Sequence, residues 1–216
     1  MKKIILLFLL VVFATSPVAC SNSDNTKTED RVGVYPYELS EREEGLLRAF
    51  DLSGNSQIIS FRAPSKAISL HVNIYTLDEN AKWNAISGGA ISIGVDREPL
   101  DGLVGIFAMQ VHPDYSMDFS ITCGAMGLYT MEPIASNVQI TASTKVFLTY
   151  FQEIELNKEI PVALMVYDSG TSIRAYSLAD YFEPTRFSEM DLVQVVTLTF
   201  LDSDISFSPA CYLNCH

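Results

Sequence analysis

The sequence predicts an all-β fold: an antiparallel β-sandwich of about nine strands, with a jelly-roll arrangement as one variant, and one short N-terminal helix. Three observations carry this. Apolar and polar residues alternate with period two beyond Gln57. The alternation is cleanest where Ile68, Leu70, Val72 and Ile74 point one way and Ser69, His71, Asn73 and Tyr75 the other. Turn residues interrupt the runs at Asp78-Glu79-Asn80, His112-Pro113-Asp114 and Asp168-Ser169-Gly170. No helical period intervenes between the strands, and no fixed-period repeat points to a propeller or solenoid.

In chain order, Ser40-Glu41-Arg42-Glu43 has the form of a capping box and opens a helix over Glu41–Asp51. Acidic residues suit its first turn, and Leu46, Leu47 and Phe50 give it an apolar stripe expected to plug one end of the β structure. Strands are predicted at Ile58–Phe61, Ile68–Tyr75, Trp83–Ile93, Leu103–Val111 and Tyr115–Cys123. Gly88-Gly89 suggests a bulge or bend inside the third. Gly124–Asn137 reads as irregular, followed by strands at Val138–Ala142, Lys145–Glu155, Ile160–Tyr167 and Ser172–Tyr176. Ile160–Tyr167 is apolar on both faces, which predicts a central position. Ser177–Asp191 is a long connection into a last strand, Leu192–Leu201.

The N-terminus has a different character. Lys2 and Lys3 precede an apolar run of eleven residues, Ile4–Ala14. As a helix it would be roughly 16 Å long, about half a bilayer's hydrocarbon core, which suits an export signal better than a membrane span. Val18-Ala19-Cys20 follows, and it resembles the lipobox of bacterial lipoprotein precursors, with Pro17 where that family usually carries an aliphatic residue. The resemblance implies diacylglycerol on the sulfur of Cys20 and cleavage just before it. The domain plan is then a signal peptide over 1–19, a lipidated cysteine and polar tether over 20–36, and one β-sandwich over 37–216. Ser21–Arg31 has no strong apolar residue and is expected to act as a flexible tether. The expected location is extracytoplasmic, held to the membrane by lipid; ordinary cleavage after Ala14 and secretion is the alternative.

Charge narrows the partners. Removing Lys2 and Lys3 from the 14 basic residues leaves 12 against 26 acidic ones, a net charge near −14. Such a surface repels nucleic acid and anionic lipid alike, so acyl chains are the expected membrane contact. Beyond Cys20, Cys123 lies on the apolar register of a strand and is expected to be buried, while Cys211 and Cys215 are close enough to form a disulfide. Cys211, Cys215 and His216 lack the second ligand pair that a zinc site wants, and no glycine loop matches a nucleotide fingerprint; neither metal nor cofactor is predicted.

Candidate binding residues are the polar row Ser69, His71, Asn73 and Tyr75, which could hydrogen-bond a sugar or peptide, together with Trp83, the one tryptophan, as an aromatic platform. The stronger reading of the row is a sheet face that simply meets water, and of Trp83 a core-edge or hairpin packing residue. Catalysis finds no nucleophile elbow. The carboxylate pairs Asp114 with Asp118 and Asp202 with Asp204 are the only route to a hydrolase, if they flank a cleft. Three functions follow: a non-catalytic module binding a glycan, a peptide or an envelope protein; an envelope polysaccharide hydrolase; or a structural envelope component showing an exposed apolar patch or open sheet edge.

Overall fold

The computed structural model describes residues 31–94, 102–134 and 139–204. The chain divides into two units, Met1–Arg31 and Val32–His216, and the fold below is that of the second. It has ten strands: β1 (Gly33–Pro36), β2 (Ser56–Arg62), β3 (Ser69–Leu77), β4 (Trp83–Ser92), β5 (Val104–Val111), β6 (Met117–Cys123), β7 (Ala125–Met131), β8 (Ala142–Phe147), β9 (Glu159–Asp168) and β10 (Leu192–Leu201). One helix, α1 (Glu41–Ala49), lies between β1 and β2. The strands form two antiparallel five-stranded sheets, in the orders β1-β2-β5-β6-β7 and β4-β3-β10-β9-β8. Hairpins stay within one sheet, unlike the strand alternation of a jelly roll, and β10 joins the β3–β4 hairpin to β8–β9.

The core follows from the alternation. Ile59, Phe61, Phe107, Phe119 and Ile121 from the first sheet meet Leu70, Val72, Ile74, Leu198 and Phe200 from the second, and all are buried. This apolar interface is the main force holding the two layers together. Cys123 is buried in it, as its register predicts.

Five elements differ from the sequence expectation. Of the strand expected at Val138–Ala142, described residues 139–141 lie outside any strand and β8 begins only at Ala142. β1 lies inside the segment expected to be tether; Val34 pairs with Phe61 and is also bridged to Gln152. β7 lies in the stretch expected to be irregular, because Ala, Met and Gly give it little β-propensity and pairing with β6 supplies the order. The strand expected over Lys145–Glu155 ends at Phe147; Leu148 and Ile154 still bury their side chains but leave the ladder. Ser172–Tyr176 forms no strand, and Asp168-Ser169-Gly170 leads into a covering segment instead of a hairpin.

The helix keeps its predicted cap and loses its predicted role. Ser40 Oγ accepts from the Glu43 amide at 3.4 Å, and the Ser40 amide donates to Glu43 Oε2 at 2.7 Å. Yet no helix residue is buried, and Leu46 and Phe50 are 59% and 72% exposed. A two-turn helix with so narrow a stripe plugs nothing.

The β4 bulge is real but sits beside the glycines. Ile74 pairs with Ser87 and Tyr75 with Ala85, so Ile86 is the extra residue. Gly89 answers a different need. A Cβ there would lie 2.6 Å from the ring of Tyr129, which stacks on Phe119 at 4.9 Å and donates to the Ala90 carbonyl at 2.5 Å. The glycine lets a β7 side chain close the sandwich against β4.

Candidate functional site

The polar row on β3 lies on the outer face of the second sheet, and part of that face is covered. The connection from β9 to β10 folds back as two 3₁₀ turns, Leu178–Phe182 and Pro184–Phe187. Its Tyr181 and Phe187 pack on Leu164, Val166, Val193 and Val195, which point away from the main core. This explains why β9 is apolar on both faces although it is second from the sheet edge. A bulge accompanies the change of face: Val196 pairs with Ala163 and Thr197 with Pro161, leaving Val162 extra.

The covering segment is fastened by polar groups. The buried Asp180 accepts from the Ser177 amide at 2.7 Å and pairs with Arg186 at 3.0 Å. Asp191 accepts from the Ser169 amide at 2.6 Å. Trp83 is built into this structure: its indole N–H donates to the Tyr181 carbonyl at 2.9 Å, with Tyr181 and Phe187 rings at 5.3 and 6.0 Å.

The remaining row residues divide. Ser69 is buried and donates to the Ser203 carbonyl at 2.8 Å. Tyr75 and Tyr181 donate from their hydroxyls to opposite oxygens of Glu159, joined by Asn73 and Thr197 at 3.4 Å each. Burial first, then the bond to Glu159, raises both phenol pKa values above the ordinary tyrosine range. Next to this network, His71 Nε2 and Thr199 Oγ1 are buried without a hydrogen-bond partner among the described residues, and burial lowers the imidazole pKa. The structure thus gathers Asn73 and Tyr75 around Glu159, a residue the sequence reading passed over. The available signal was its position as the acidic residue next to the apolar run of β9, directly after Lys158. Cys20, Cys211 and Cys215 lie outside the described residues.

A second arrangement lies at one end of the first sheet. His112, Pro113, Asp114, Ser116, Asp118 and Thr130 line an open depression of about 460 Å³. It is made by the β5–β6 turn, in which Tyr115 adopts a φ of 67°, rare for a non-glycine residue. That conformation is held from below: the Tyr115 ring meets Tyr167 edge-on at 4.8 Å, and its carbonyl accepts from Gln194 Nε2 at 2.9 Å. Asp51, Ala81 and Asn157 share this conformation in other turns, so it marks a tight turn here.

The groups in the depression orient one another. Asp118 accepts from Thr130 Oγ1 at 2.7 Å and lies 2.8 Å from His112 Nε2. Asp114 accepts from the hydroxyl and amide of Ser116 at 2.6 and 3.2 Å. These bonds hold both carboxyl pKa values below the ordinary aspartate value, Thr130 leading for Asp118 and the Ser116 hydroxyl for Asp114. Ionised Asp118 can only accept, so the proton of the His112–Asp118 bond belongs to Nε2. The result is an acceptor-rich, pre-oriented surface. Among the described residues, no three His, Cys, Asp or Glu side chains are grouped to hold a metal ion.

Comparison with protein-family models, with curated proteins and with solved structures gives no match.

Proposed function

We propose that this chain is an extracytoplasmic lipoprotein, anchored to a bacterial membrane through lipid on Cys20, whose sandwich is a non-catalytic module binding a glycan. The depression at the β5–β6 turn carries the ligand class. Its carboxylate acceptors suit a ligand rich in hydroxyl donors, and its open shape suits a polymer passing over it. The electrostatics favour binding over hydrolysis. A glycosidase needs one carboxyl with a raised pKa as proton donor, whereas Asp114 and Asp118 are both shifted down. Supporting the anchor, Val18-Ala19-Cys20 follows an apolar run of export-signal length, and Ser21–Arg31 carries no strong apolar residue.

A glycan array probed with the full chain tests this. At least one envelope polysaccharide should bind, and Asp118→Asn should weaken it about tenfold, as expected for one charge-assisted hydrogen bond worth about 1.4 kcal/mol. Binding that survives Asp118→Asn unchanged, or no binding to any glycan, contradicts the reading.

A further inference from the structure

The four sheet edges are not treated alike. β1 is sealed by Gln152, whose amide and carbonyl both bond to Val34 at 2.9 Å, and it ends in Pro36. β4 is bulged at Ile86, and its Ala90 carbonyl is taken by Tyr129. β8 is the shorter of the remaining two and carries Lys145. β7 has none of these protections. Its seven residues, Ala125–Met131, include no charge and no proline. Among the described residues, its backbone pairs with β6 alone. Met126 and Leu128 stand 65% and 75% exposed on the outward face, where their neighbours on β6 are Thr122 and Ser120. A neutral, unbulged, largely apolar edge of this length is a template for another strand.

We propose that β7 is a self-association edge, at which a second copy of this chain adds its own β7 antiparallel, making one continuous sheet across a two-fold axis. Charge selects the occupant. The chain carries 26 acidic residues against 14 basic ones, so most approaches between two copies bring like charges together. Of the charge-free edge strands, β1 is sealed by Gln152 and β4 is bulged at Ile86, which leaves β7 itself as the neutral strand that complements the β7 edge. Antiparallel pairing across a two-fold is self-complementary, so one strand provides both halves of the contact. Thr130 belongs to β7 and to the depression, so the pairing also sets two depressions on one joined sheet.

The full chain, expressed with its N-terminus and extracted in mild detergent, should sediment as a dimer. Leu128→Glu and, separately, Met126→Lys should each make it a monomer; both side chains are mostly exposed, so the fold tolerates the change. In intact membranes, Leu128→Cys should crosslink two copies under mild oxidation, whereas Tyr150→Cys, at an equally exposed position, should not. A monomeric wild-type chain, a dimer that persists in both charged variants, or crosslinking of residue 128 to a different protein overturns the proposal.

Discussion

Glu159 shows how one carboxyl can organise a surface. Two phenols reach it from different parts of the chain, Tyr75 on β3 and Tyr181 on the covering segment. Tyr181→Phe removes one donor and should cost about 1 kcal/mol in urea denaturation. The pH dependence has a definite sign. Both phenols have folded pKa values raised above the ordinary value of 10.0, so unfolded tyrosines ionise first. Their contribution is fully present below pH 10 and is lost as pH rises beyond it. Stability should therefore fall in the alkaline range, and the Tyr75→Phe/Tyr181→Phe double variant should flatten that fall. The buried Tyr167, also shifted up, leaves a residual slope. Tyr75 was legible in the sequence as a polar-row residue, but its pairing with Glu159 was not, because a hydrogen bond between residues 75 and 159 depends on strand register, which alternation alone does not fix.

Among the elements, the segment from Ser177 to Asp191 contributes most beyond the two sheets. It gives a second apolar layer to a sheet face that would otherwise meet water. Phe187 is its fully buried anchor. Phe187→Ala should release this segment while leaving the main core intact, since the two clusters lie on opposite faces of the sheet. Loss of a buried phenylalanine costs about 3 kcal/mol, so amide exchange over 177–191 should quicken on the order of a hundredfold. Emission of the single tryptophan, Trp83, should shift to the red. The strands with alternation, β3, β5 and β6, were legible to within two residues because each buries one face, and β10 was legible as a continuous apolar, β-branched run because both its faces are covered. β7 was not, since its residues carry a weak local signal and its order comes from a neighbour. The aspartates and histidine of the depression were visible as a turn and a carboxylate pair; that Thr130 completes them follows only from β7 lying beside β6.

At the scale of the whole molecule, two sheets share one continuous core, the polar depression lies at one end of the first sheet, and an uncharged strand forms its edge. No helix among the described residues is long and apolar enough to cross a membrane. In the proposed account the membrane is reached through covalent lipid, and two acyl chains attached together hold a protein far more firmly than one. In that account a strongly acidic body gains nothing from anionic lipid by charge, and the proposed lipid on Cys20 supplies the attachment. The most direct measurement is the mass of the N-terminal peptide from protein isolated out of its native membrane. The account predicts a chain starting at residue 20 with a diacylglyceryl thioether on its sulfur. A peptide that retains Met1, or one that begins at Cys20 with an unmodified thiol, would contradict it.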